Sequence, residues 1–177
     1  MFVGVWDSAK CGKDIVLSEA DTVATFENPS YDYKNSVLGS VSAAGCPTFK
    51  LRIVGDTSAP DSPRRVMVGL APKVLDPDGH QPYRVCGYFL AWCTQRAYAI
   101  NPRAQQSSGL DTLGSFGQPK HGDVFTCTFD SANKTVSFAF NDHAFSALYS
   151  DVDELAHELF PAVLFCDPGL SFLLTPG

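Results

Sequence analysis

The sequence predicts an all-β fold, an antiparallel two-sheet β-sandwich. Three observations predict it: short segments in which apolar and polar residues alternate with period two, turn residues between them, and an aromatic-rich composition. The 177 residues include 13 Phe, 14 Gly and 12 Pro, with 45% hydrophobic and only 18% charged. This mix suits aromatic strands separated by Gly/Pro turns and argues against both a helical bundle and a disordered chain. A chain of this length fits one domain, residues 1–177, and can bury most of its surface without a covalent staple.

The elements follow in order. Phe49, Leu51 and Ile53 alternate with Lys50 and Arg52; Phe125, Cys127 and Phe129 alternate with Thr126 and Thr128; Val136, Phe138 and Phe140 alternate with Ser137 and Ala139. Each pattern is that of a half-buried strand with one face on a core. Asp130 to Lys134 separates two of these runs as a hairpin, and Asn141-Asp142-His143 reverses the chain again, because Asn and Asp tolerate left-handed backbone. One helical turn is expected, with Ser150 capping Asp151 to Ala156 and Pro161 ending it. Two connections are long, Pro72 to Val85 and Asn101 to Gly122, and loops of that length are uncommon unless functional. No internal repeat or linker divides the chain, which ends just after a last strand and so reads as a domain excised from a larger protein.

Charge narrows the partners. The formal net charge is −6 and no basic cluster exceeds the pair Arg64-Arg65, so no nucleic acid is expected: phosphate contacts need a basic face. No stretch approaches the ~20 apolar residues of a membrane span, and Met1 to Asp14 lacks a signal-peptide core. The six cysteines, Cys11, Cys46, Cys86, Cys93, Cys127 and Cys166, show no Cys-x-x-Cys spacing. They read as free thiols, small buried hydrophobes of an intracellular, cytoplasmic or nuclear protein; an extracellular disulfide framework is the alternative. Asn133-Lys134-Thr135 is a formal glycosylation sequon, which says little without a secretory signal.

The order of strands and turns resembles that of a SPRY (B30.2-like) domain. The matching pieces are Asp14 to Ser18, Val37 to Ser40, the pair Thr48 to Val54 and Arg65 to Ala71, and Gly87 to Ala91. The most specific are Gly122 to Asp130, Thr135 to Asn141 and Leu159 to Val163. The family's bulky aromatic opposite Thr48-Phe49 is only partly present, and the connection Asn101 to Gly122 is longer than usual. The resemblance implies a bent, concanavalin-like sandwich that binds partner proteins, often as the recognition part of a scaffold or ubiquitin-ligase protein. It also implies partner-binding loops before Gly87 and after Cys166. Fold alone does not establish function.

A search for chemistry finds little. His80, His121, His143 and His157 fall in polar turns or connectors without a pairing that would hold a metal. Asp76-Pro77-Asp78-Gly79 starts like a calcium loop, but Gly87 stands where the bidentate Glu belongs. Ala9 to Lys13 lacks the first glycine and final hydroxyl of a phosphate loop, and no Gly-x-Ser-x-Gly elbow occurs. Trp92 reads as core. The expectation is therefore no catalysis, no metal and no cofactor. Two alternatives remain: a lectin-like sandwich using Tyr83 with Asp76 and Asp78, and a hydrolase using Cys11 or Cys46.

Counting strand directions from Phe49 puts the loops Pro72 to Val85, Asn101 to Gly122, Asn141 to His143 and Asp167 to Gly169 at one end of the sandwich. Gly55 to Arg64 and Ser150 to Leu159 fall at the other, making Asp61 and Arg64 an opposite-end control. The first end gathers the residues suited to binding a protein or peptide: His80, Gln81, Tyr83, Arg84, Arg103, Gln105, Gln106 and Asp167. Tyr and Arg dominate hot spots because they supply area and directed hydrogen bonds. The domain is expected to be a monomer.

Overall fold

A computed structural model describes residues 4–27, 35–78, 87–100 and 110–177. In chain order the strands are β1 (Trp6–Cys11), β2 (Ile15–Ser18), β3 (Val23–Phe26), β4 (Asn35–Gly39), β5 (Thr48–Asp56), β6 (Val66–Pro72) and β7 (Tyr88–Cys93). They continue as β8 (Arg96–Ile100), β9 (Leu110–Ser115), β10 (Val124–Asp130), β11 (Thr135–Phe140), β12 (His143–Tyr149), β13 (Leu159–Phe165) and β14 (Leu170–Pro176). Two seven-stranded antiparallel sheets result, ordered β1-β4-β13-β6-β7-β8-β9 and β12-β11-β10-β5-β14-β3-β2. The predicted sandwich is therefore the fold.

The alternating strands pack as their pattern requires. Phe125, Cys127 and Phe129 face Phe140, Phe138 and Val136 across β10 and β11, and all six are buried. The hairpin between them is built by Asp130, whose carboxylate accepts from the backbone N–H groups of Ala132 and Asn133 and from the Asn133 amide. These hydrogen bonds hold the Asp130 carboxyl below its ordinary pKa.

The β4–β13–β6–β7 part of the other sheet is different, because almost every residue is buried. Val66, Val68, Leu70, Leu90, Trp92, Val163 and Phe165 point between the sheets. Their neighbours Leu38, Met67, Ala71, Phe89, Ala91, Phe160, Ala162 and Leu164 form a second apolar cluster on the outer face, joined by Leu75 from the connection after β6. That connection turns at once, with Leu75 N–H donating to the Pro72 carbonyl, and Lys73 sits 4.8 Å over the Phe160 ring. It then crosses toward β4, where Ser36 N–H donates to the Pro77 carbonyl at 3.0 Å and Lys13 N–H to Asp78 at 2.9 Å.

Two expectations are corrected. Ser150 to Ala156 forms bends and turns, not a helical turn. Asp151 adopts φ 56°, a left-handed conformation at which a right-handed helix cannot start. The donors of this segment are used otherwise, Val152 N–H reaching the Lys134 carbonyl at 3.1 Å and Leu155 N–H bonding locally to the Glu158 carboxylate at 2.8 Å. The second correction concerns Asn101 to Gly122, which contains the edge strand β9, paired with β8. One added strand reverses the end assignment of every later connection.

With antiparallel pairing throughout, connections 57–65, 94–95, 116–123, 141–142 and 166–169 share one end, called here the Asp167 end. Connections 40–47, 131–134 and 150–158 share the other, the Lys134 end, from which the segment after Pro72 also departs. Thus Asp61 and Arg64 lie at the same end as Asp167, and the loops around Asn141 and Asp167 are separated from the start of the 73–87 connection. The connection nevertheless arrives at the Asp167 end, since Asn35, beside Ser36, pairs with Phe165.

Candidate functional site: a groove at the Asp167 end

Arg64 and Arg65 are adjacent in sequence and brace the end in different directions. Arg64, 9% exposed, donates from Nε to Asp56 at 3.0 Å and from Nη1 to Gln118. Arg65 gives the Asp167 carboxylate three hydrogen bonds, from its backbone N at 2.7 Å, Nε at 2.9 Å and Nη2 at 2.8 Å. The two side-chain bonds form the bidentate fork that suits guanidinium to carboxylate. The Arg65 carbonyl in turn accepts from Cys166 N–H. The 57–65 loop and the 166–169 turn are thereby joined as one unit.

Gly169 completes the junction. Its N–H donates to the Phe26 carbonyl and its carbonyl accepts from Thr57 N–H at 2.9 Å. Its φ is 107°, and a Cβ here would lie 2.5 Å from Ser58 Oγ and 2.8 Å from Ser58 N. Only glycine fits both the conformation and the approach. Ser58 is held from the other side, its N–H on Asp56 and its hydroxyl on the Pro168 carbonyl.

Between these segments opens a groove of about 510 Å³, walled by Ser58, Ala59, Ser62 and Pro63 on one side and by Asp167, Pro168 and Gly169 on the other, with Thr25 to Glu27 at its end. That volume lies within the range of ligand-sized clefts. Among the described residues no Lys, Arg or His lines it.

Of the predicted site residues, Asp167 is the one the structure describes; it is 5% exposed and its carboxylate is engaged by Arg65. His80, Gln81, Tyr83, Arg84, Arg103, Gln105 and Gln106 lie outside the described residues, as does Cys86. The described part of their loop ends at Asp78, against Lys13. Sequence reasoning missed Glu27, Ser58, Pro63 and Gly169; the signals present were the Ser/Pro-rich run Thr57 to Pro63 and the Pro168-Gly169 pair.

The other candidate chemistries gain nothing here. The Cys11 thiol is pushed up to about 11 by burial and then by Asp78 and Asp21, the opposite of an activated thiolate. Cys46 is buried with its thiol on the Thr48 carbonyl, and Cys127 is raised by burial. Cys11, Cys46, Cys93 and Cys127 are free thiols. Asp76 and Asp78 are used locally, accepting from Asp78 N–H and Lys13 N–H. Among the described residues no group of three or more His, Cys, Asp or Glu is placed to hold a metal, and no helix is long and apolar enough to cross a membrane.

No protein-family model matches the chain, and no curated protein resembles it significantly in sequence. Solved structures do match. The crystal structure of the SPRY domain of human HERC1 superposes with a TM-score of 0.63 at 20% identity, covering 97% of each chain. The TRIM65 PSpry domain gives 0.64 at 14% identity, over 99% of this chain and 91% of that one. The fold of this chain is the SPRY fold, as the sequence resemblance implied.

Proposed function

We propose that residues 1–177 act as one non-catalytic interaction module, which binds a partner protein through the loops of the Asp167 end. In this reading it works inside the cell as the recognition part of a scaffold or ubiquitin-ligase protein. The observation that carries the proposal is the Arg65–Asp167 junction, which fixes two loops as the walls of an open groove, while the 73–78 segment reaches the same end of the sandwich against Ser36 and Lys13. A pre-fixed loop pair lowers the ordering cost of binding. The bonding of Asp167 makes it a positioning residue for the groove, and Tyr83 and Arg84 are the proposed anchors.

The test uses a partner isolated with the unmodified chain. The double change Tyr83→Ala with Arg84→Ala is expected to lower affinity at least about thirtyfold, since a hot spot contributes ~2 kcal/mol or more. Leu155→Ala with His157→Ala, both exposed at the Lys134 end, is expected to leave affinity unchanged. Loss of binding through the second pair alone would move the site to the wrong end. Asp61 and Arg64 cannot serve as that control, because both lie at the Asp167 end and Arg64 is buried.

A further inference from the structure

We infer that the groove receives an arginine or lysine side chain from an extended segment of the partner protein, with Glu27 and Asp61 as the carboxylates that meet it. The inference rests on the reading that the Asp167 end is the binding face, and it adds the chemistry of what binds there.

The carboxylates of the groove and its rim sort into two kinds. Asp167 and Asp56 are each neutralised by an arginine, at 2.8 Å and 3.0 Å. Glu27, which lines the groove, and Asp61, between the groove residues Ala59 and Ser62, are exposed, and neither is held in an ion pair among the described residues. Among the described residues no cation lines the groove, and its surplus charge is negative. An acidic or phosphorylated segment would meet two exposed carboxylates and, among the described lining residues, no cation. A cation would find complementary charge, and the net charge of −6 would steer it inward.

The walls suit the rest of such a side chain. Ala59, Pro63 and Pro168 offer apolar surface to an aliphatic stem, and Ser62 offers a hydroxyl near its head. Lys and Arg bind in this manner, stem along apolar surface and charge toward polar groups. The braced backbone at Ser58 and Gly169 keeps the slot open without a partner.

The experiment is selection of phage-displayed random linear peptides on the full chain, followed by fluorescence-anisotropy titration of the selected peptides against variants that melt like the unmodified chain. The expected result is peptides that share one Arg or Lys position. Glu27→Gln with Asp61→Asn should weaken them roughly three- to tenfold, as does raised salt, in keeping with exposed ion pairs. Ala59→Arg, which places a fixed cation on the wall, should weaken them more, and Leu155→Ala with His157→Ala should change nothing. Peptides lost with Ala59→Arg that share no cation, or that ignore the double neutralisation, would overturn the inference and leave the binding face standing. Peptides lost only through Leu155 and His157, or no selected peptides at all, would overturn both. A dimer of the unmodified chain that Ala59→Arg dissolves would identify a second copy as the occupant and overturn the assignment to a partner protein.

Discussion

Trp92→Ala is expected to cost about 3–5 kcal/mol of stability, the range for removing a large buried aromatic side chain. Trp92 is fully buried and sits where the two sheets meet. Its ring lies 4.4 Å from Phe140, 5.7 Å from Phe125 and 5.8 Å from Phe116 between centroids. Its indole Nε1 donates to the Gly117 carbonyl at 2.9 Å, tying β7 to the connection after β9. Gly117 is exposed, so its carbonyl can return to water and the loss is mainly one of packing. At roughly 2–4 °C per kcal/mol for a chain of this size, the melting temperature should fall by about 10 °C. Trp92→Phe, which keeps a ring, should cost much less. Denaturant titration reads both, and a loss below ~1 kcal/mol for Trp92→Ala would remove Trp92 from the centre of the core.

Asp167→Ala is expected to cost about 2–3 kcal/mol and to weaken partner binding in the molecules that remain folded. The carboxylate is buried, and its removal leaves three donors of Arg65 without their acceptor. The loss stays below the ~3–5 kcal/mol of a fully buried pair because the Arg65 side chain is 29% exposed and can be rehydrated. Asp167→Asn keeps an acceptor for Arg65 and should recover part of the loss. If Asp167→Ala left both stability and binding unchanged, the two loops would not need each other, and the groove would not be a prepared site.

The legible part of the fold was the part with one wet face. Alternation at Phe49, Leu51 and Ile53 and along β10 and β11 marks strands buried on one side, and the structure buries those residues. Edge strands were harder. β9 has the sequence Leu-Asp-Thr-Leu-Gly-Ser and a register shift against β8, so no periodicity announces it. Edge strands are short and polar because a long apolar edge would pair with other chains. Missing β9 inverted the ends of all later loops. The helical turn at Ser150 failed for another reason: Asp151 is left-handed, and bonds to Lys134 and Tyr88, both distant in sequence, hold the segment otherwise.

The site was legible only in pieces. Asp167 could be chosen as a polar residue after an apolar run, but its partner Arg65 is 102 residues away in sequence. No local pattern encodes that pairing. Likewise the route of 73–78 depends on an outer apolar cluster assembled from β4, β6, β7 and β13, and a cluster drawn from four separated strands has no signature in any one of them.

The central claim, that the Asp167 end binds the partner, is tested most directly by hydrogen–deuterium exchange of the chain with and without a bound partner or selected peptide. The account predicts slowed exchange in 57–63 and 166–169, with 131–134 and 150–158 unchanged. Protection confined to 131–134 and 150–158, with the Asp167 end exchanging as in the free chain, would contradict it.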